Sequence, residues 1–344
     1  MKFQNFNSLR SASRKPVNLS KDKLVGTEWL SKNSMPLVIQ PTVDGVNLVT
    51  WATSNRQFID TLLLQHRAIL FRNFSTNTTA AFHQFVKATS NGDLLDYRDR
   101  SSPRHEVGEK VYTSTDYPAE QHIFLHNEGT YWLTWPLKIY FGCLIAPQQG
   151  GETPIADTRK ILARIDPKIR ERFIEKNVLY IRNYNDGFGL TWQTVFQTSD
   201  KNVVEEYCRK NHIEFEWKDG ERLRTKQVRQ AIAQHPKTGE WVWFNHAAFF
   251  HISTLELTIR EALLSEFKEE DLPHNTYYGD GSSIETSVLD EIRSAYHQEK
   301  VIFPWQQGDI LMLDNMSVAH GRSPFSGQRQ VVVGMAETHS TKNS

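Results

Sequence analysis

In β structure, a His-x-acid pair is a short route to a metal site. Side chains two apart on a strand point the same way, so an imidazole and a carboxylate can reach one ion. An open non-haem iron site needs two His and one carboxylate on one face of the metal, with the other face left for oxygen and a cosubstrate. Thirteen His and forty acidic residues in 344 predict about 1.5 such pairs by chance. The chain has three: His126/Glu128, His212/Glu214 and His297/Glu299. Local pattern separates them. His297 lies in the helix-like run LDEIRSAYHQEK, where positions i and i+2 diverge by about 200°. His212 sits at a helix end among charged residues. His126 ends an apolar strand and leads into a turn.

A third ligand has to come from a distant strand. His320 follows an apolar strand and an Asp-Asn turn in LMLDNMSVAHGRSPF. Nine residues later, Arg329 starts the strand-like run QVVVGMA. A buried Arg grips a carboxylate through two parallel N–H bonds, which Lys cannot copy. A keto acid such as 2-oxoglutarate brings such a carboxylate to an open iron.

The elements that must position these residues follow from periodicity. LVIQPT and AILFRNF (Ala68–Phe74) read as strands. SNRQFIDTLLLQHR and TTAAFHQFVKATSN read as helices. Gln121–Leu125, Leu137–Ile145, Glu152–Ala156, Trp241–Asn245, ILMLDN and Gln330–Ala336 read as further strands. Asp157–Lys176, Thr254–Glu270 and Ser287–Lys300 read as helices, with Asp157 as an N-cap. Strands at both ends with helices between them indicate a mainly β fold with helical insertions, built on a double-stranded β-helix (jelly-roll) core.

Composition narrows the function. Forty basic and forty acidic residues give a formal net charge of zero, which lacks the footprint of a nucleic-acid binder or of a basic face for anionic membranes. No apolar run reaches the ~20 residues that span a bilayer. Two cysteines and an N-terminus with no apolar signal core fit a cytoplasmic protein.

His126-Asn127-Glu128, the run Gly150-Gly151-Glu152-Thr153-Pro154-Ile155-Ala156-Asp157, His320-Gly321-Arg322 and Arg329 together resemble the taurine-dioxygenase-like family of iron(II)/2-oxoglutarate dioxygenases. HPKTGEWVWFN and AILFRNF add to the likeness, which covers roughly residues 36–337. Within the family it is similar to the natural-product branch typified by the syringomycin aspartyl β-hydroxylase. The resemblance implies iron(II) held by His126, Glu128 and His320. It implies 2-oxoglutarate with its distal carboxylate on Thr153 and Arg329. Arg322 is a candidate substrate contact or a rim ion pair. The implied layout is a polar N-terminal arm over 1–35 and one dioxygenase domain over 36–340, with a helical insertion at about 157–300.

Two departures shape the expected reaction. The family's usual acid at the middle ligand is Asp, and here it is Glu128. Halogenating relatives place Ala or Gly there, so Glu128 argues for oxygen insertion or desaturation. Taurine dioxygenase carries a sulfonate-binding Arg four residues after its 2-oxoglutarate Arg, and here that position is Val333. The resemblance implies hydroxylation of an unactivated C–H bond in an amino acid or amino-acid-derived small molecule, free or tethered to a carrier protein, with molecular oxygen as co-reactant. A catabolic dioxygenase for a small anion and a non-catalytic ligand-binding jelly roll stay open. So do the oligomeric state, the target carbon and its stereochemistry. For Trp132, Trp192, Trp243 and Cys143 core packing is the default; Arg182, Arg224 and Asn245 have motif support without an assigned mechanism.

Overall fold

The computed structural model describes residues 24–30, 35–92, 94–95, 106–108, 110–113, 117–184 and 189–340. Ile310–Asp314, Thr134–Ile145 and Gln330–Ser340 are apolar runs buried along most of their length. Strands of that kind need cover on both faces. They lie antiparallel at the centre of an eight-stranded sheet. Ala68–Phe71 continues it, and Leu37–Pro41 joins in parallel. Val25–Trp29 pairs antiparallel beyond that. A strand therefore stands inside the stretch expected to be a polar arm; residues 1–23 of that arm lie outside the described residues. Its side chains are half-buried or exposed, so it carries no core pattern, and its partner strand creates it.

Alternation along these strands sorts the core into two layers. Ile310, Met312 and Tyr140 face the helices Leu48–Ser54, Arg56–His66 and Thr79–Thr89, meeting Trp51, Phe82 and Phe85. Leu311, Leu313, Ile139, Phe141, Val331 and Val333 point the other way, against Ile155 and Val318 of a second sheet. That sheet has three strands, Ile123–His126, Val318–Arg322 and Ile155–Asp157, with the His320 strand in the middle. Its opposite face, with Leu125, Ala156 and Ala319, packs on the insertion. The two facing sheets form the double-stranded β-helix.

The insertion alternates strands with helices. Besides the helices Thr158–Arg164, Pro167–Lys176, Trp192–Phe196, Lys201–Lys210, Ala247–Phe250, Leu257–Glu266 and Thr286–Glu299 it holds a four-stranded antiparallel sheet, ordered Glu214–Lys218, Arg222–Arg229, Val178–Tyr184, His274–Tyr278. The single helix expected over Asp157–Lys176 is two. Pro167 lacks an N–H, and Asp166 caps the second helix by accepting from Lys168 N at 2.8 Å. Among the described residues, no helix is long and apolar enough to cross a membrane.

Candidate metal centre and cosubstrate pocket

His126 is the last residue of Ile123–His126, and His320 sits directly opposite it on Val318–Arg322. Period-two alternation turns Val318 and His320 toward the space between the sheets, where the His320 ring lies 4.9 Å from Phe141. The turn after His126 brings Glu128 to the same place. One donor atom from each of His126, Glu128 and His320 lies within 4.8 Å of the others, and all three residues are buried. No other His, Cys, Asp or Glu cluster of this kind occurs among the described residues. His126 Nδ1 lies 2.8 Å from the Phe124 carbonyl. A carbonyl only accepts, so Nδ1 carries the hydrogen and Nε2 is the nitrogen with a lone pair to offer a metal. The ring stacks on Phe249 at 4.5 Å and 4°. Two imidazoles and a carboxylate suit iron(II).

The other two His-x-Glu pairs make no such cluster. His297 lies near the end of the helix Thr286–Glu299, and Glu299 pairs with Arg164 and Lys160. His212 has a left-handed backbone, φ +51°, in the turn before Glu214–Lys218.

The His320 strand makes a bulge directly after His320. A Cβ on Gly321 would lie 2.6 Å from the Ile123 carbonyl, so glycine lets the strand approach this closely. Ladder bonds continue past the bulge, from Gly321 N to Pro154 O at 3.0 Å and from Ser323 N to Glu152 O at 3.1 Å. Thr153 is thereby held alongside the His320 strand. Its Oγ1 accepts from Trp305 Nε1 at 3.2 Å, which leaves the hydroxyl hydrogen to donate elsewhere. Arg329 Nε donates to the Gly151 carbonyl at 2.9 Å. Gly151 has φ +68°, and a Cβ there would press on Arg329 Cδ at 3.0 Å. Burial pushes Arg329 down to about 10, with the neighbouring Arg322 cation as a second cause. A desolvated guanidinium beside another cation is a strong site for a carboxylate.

Arg322 does something more specific than the sequence indicates. Its Nη1 donates to the Tyr117 carbonyl at 2.9 Å, and its Nη2 donates to the carbonyls of Pro118 and Gln121. It clamps the segment that leads into the His126 strand. Val333 is fully buried between the sheets. Arg224 bonds Asn183 and Asp271, and Asn245 pins Ala231 and Ala247. Arg182 lies over the rings of Tyr131 and Tyr184. Trp192, Trp243 and Cys143 are core; burial pushes the Cys143 thiol up to about 12, which makes it inert. Sequence reasoning passed over Trp305, Phe249, His246 and Asn315. Of these only Asn315 had a signal, the Asp-Asn turn before the His320 strand.

Comparison with known proteins agrees with this geometry. Residues 32–336 match the family model described as taurine catabolism dioxygenase TauD, TfdA family. The dapdiamide synthesis protein DdaC of Enterobacter agglomerans is 42% identical over 310 residues, covering 87% of this chain and 94% of that protein. A clavaminate synthase-like protein of Arabidopsis thaliana is 29% identical over 294 residues, covering 83% and 86%. In fold the chain is similar to PvcB of Pseudomonas aeruginosa, with a TM-score of 0.54, 16% identity and 94% of each chain covered. A match over most of the chain, joined to a buried His-Glu-His group between two facing sheets, places the chain in the TauD/TfdA dioxygenase family, as an oxygenase that uses iron(II) and 2-oxoglutarate.

Proposed function

We propose that the protein hydroxylates an unactivated C–H bond of an amino acid or amino-acid-derived small molecule, free or carrier-tethered, in secondary-metabolite biosynthesis. The observation that carries the chemistry is the buried group His126, Glu128 and His320. Iron(II) held there would, with 2-oxoglutarate and molecular oxygen, supply the oxidant for C–H cleavage: one oxygen atom goes into succinate as carbon dioxide leaves, and the other into the product.

The chain's own residues set the geometry. His126, with Nδ1–H fixed on the Phe124 carbonyl, presents Nε2, and His320 faces it from the paired strand. Glu128 takes the position a halide ligand needs, which directs the outcome to oxygenation. Thr153 would donate its hydroxyl hydrogen to the distal carboxylate of 2-oxoglutarate, and Arg329 would pair with the same carboxylate. Phe141 and Phe249 flank the two imidazoles and keep water from that side.

The substrate class rests on kinship, which is analogy. DdaC is by name a dapdiamide synthesis protein, and PvcB is described as an Fe, alpha-ketoglutarate dependent oxygenase from an isonitrile synthetic pathway. The buried thiols Cys143 and Cys208 suit a reducing cytoplasm. The test is anaerobic binding of iron(II) and 2-oxoglutarate, then aerobic reactions with free amino acids and carrier-bound aminoacyl groups read by mass spectrometry. Succinate formed together with a product heavier by one oxygen atom is the expected result. A product lighter by two hydrogens makes the reaction a desaturation. Coupling to a small alkylsulfonate or similar anion replaces the biosynthetic reading with a catabolic one.

A further inference from the structure

Asn315 follows the strand Ile310–Asp314 and precedes the strand that carries His320. It is fully buried, and its amide is spent on main-chain groups of Glu128 and Pro136. Oδ1 accepts from Glu128 N at 2.8 Å, and Nδ2 donates to the Glu128 carbonyl at 2.9 Å. Nδ2 donates its second hydrogen to the Pro136 carbonyl at 2.9 Å. The amide orientation is fixed by its partners, because an N–H needs the oxygen and two carbonyls need the NH2. In return, Asn127 Nδ2 donates to the main-chain oxygen of Asn315 at 2.6 Å. One side chain therefore holds both main-chain polar groups of Glu128, as a neighbouring strand would.

The turn bearing Asn315 is itself fixed. Asp314 Oδ1 accepts from Met316 N and Ser317 N, at 3.1 and 2.9 Å. Asp314 Oδ2 lies 2.9 Å from His235 Nε2. His235 Nδ1 accepts from Lys237 N and Thr238 N, so Nε2 carries the hydrogen and donates it to Asp314. Asn315 N donates to the Leu137 carbonyl at 2.9 Å. From the opposite side, His246 Nε2 donates to the Asn127 carbonyl at 2.7 Å.

We infer that Asn315 is a positioning residue for the carboxylate ligand, fixing the backbone of Glu128 so that its side chain meets the two imidazoles. The inference rests on the reading of His126, Glu128 and His320 as metal ligands. Its physical need comes from the ligand type. Glu has one more rotatable bond than Asp, so its oxygens are placed less firmly by the side chain alone and depend more on a fixed base. Asn315 also joins the loop of one ligand to the strand of another, since it stands five residues before His320. The two arms of the site are thus registered through one amide.

Cobalt(II) alone, titrated into the metal-free full chain and followed by its visible absorption, tests this. Wild-type protein binds one cobalt(II); failure there removes the ligand reading itself, and the inference with it. Asn315→Ala weakens cobalt(II) binding by about 10- to 100-fold, the usual effect of losing an outer partner of a metal ligand. The same substitution placed on Glu128→Ala changes affinity less than about threefold, because the residue through which Asn315 acts is gone. Wild-type affinity in Asn315→Ala overturns the inference. So does an equal loss in both backgrounds, which marks a general loosening of the fold. Should Asn315→Ala not fold, Asn127→Ala removes one bond of the same network and leaves Asn315 in place. It weakens cobalt(II) binding by about 2- to 10-fold, the worth of one hydrogen bond. Unchanged affinity in that variant also overturns the inference.

Discussion

Glu128 and Arg329 are both charged residues proposed for one site, yet they are held in opposite ways. The Glu128 main chain is bonded at N–H and C=O by one buried amide, and the imidazoles beside it are flanked by aromatic rings. Arg329 is desolvated, lies beside the Arg322 cation and shares the Phe325 ring with it, at 5.5 and 5.2 Å. The proposed metal face is prepared by geometry, with its donor atoms grouped by the fold. The proposed cosubstrate face is prepared by electrostatic need, with positive charge held where water solvates it poorly. A dioxygenase that loads a metal and then a dicarboxylate has use for both kinds of preparation.

The sharpest break in this comparison comes from the metal face. His126→Ala or His320→Ala removes a ligand itself, so turnover falls by more than the roughly 100-fold that outer partners reach. Succinate release with a competent substrate measures it. Near wild-type turnover in either variant removes that histidine from the site.

The cosubstrate face should break separately. Arg329→Lys keeps the charge and loses the paired N–H geometry, so 2-oxoglutarate binding weakens by about 2–5 kcal/mol, the range for disrupting a buried charge pair. Cobalt(II) binding in the absence of 2-oxoglutarate stays close to wild type. Calorimetric titration of each ligand separates the two effects. If both affinities fall together, the two faces are one mechanical unit and the distinction between them is wrong.

How far these contrasts were readable without coordinates differs by residue. The His126/Glu128 pair declared itself because a strand ends in a turn there, and both signals are local. His320 and Arg329 followed from chain order and residue type. The helix break at Pro167 was also local, since Asp166-Pro167 is a cap-and-N1 pair, but helical periodicity on both sides hid it. The helix Leu48–Ser54 is short and rests on an Asn47 cap, which accepts from Thr50 N at 2.9 Å. By contrast, the Asn315 amide meets Glu128 across 187 residues, and Trp305 meets Thr153 across 152. No spacing rule reaches that far; only the fold brings such pairs together.

Acid should act on the two faces unequally. Two rings away from His126, past Phe249 and Phe250, the insertion carries His274, pushed down to about 4 by burial and then by Arg182. His251 is likewise near 4, through burial and then Arg293 and Arg260. Both have folded-state values below the unfolded 6.5, so the unfolded chain binds more protons between about pH 6.5 and 4. The stability they support is complete above that window and is lost as pH falls through it, by up to about 3–4 kcal/mol for His274. Arg329 does not change charge there. The metal-free protein should therefore lose Tm steeply from pH 6.5 to 4.5, and His274→Gln should flatten that slope. Parallel slopes for the two proteins exclude His274 as a source of the acid sensitivity.

The smallest expected effect concerns Arg322, and it decides which face that residue serves. As a candidate substrate contact it belongs to the chemistry. Its hydrogen bonds point elsewhere, to three carbonyls between Tyr117 and Gln121, two residues before the strand that ends in His126. The Phe325 N–H reinforces that clamp by donating to the Ala119 carbonyl at 2.9 Å. Arg322→Gln keeps a polar side chain but cannot span three acceptors. It should cost about 1.5–3 kcal/mol of stability, the worth of a hydrogen bond to a charged group. Amide exchange across 117–125 should quicken, while 2-oxoglutarate affinity and substrate KM move less than about tenfold. A small fall in 2-oxoglutarate affinity is compatible with a clamp, because Arg322 also adds positive potential next to Arg329. A KM for substrate raised far more than tenfold, with exchange over 117–125 unchanged, gives the opposite answer. Arg322 would then touch the substrate directly, and the cation beside Phe325 would belong to recognition instead of to the support of the metal face.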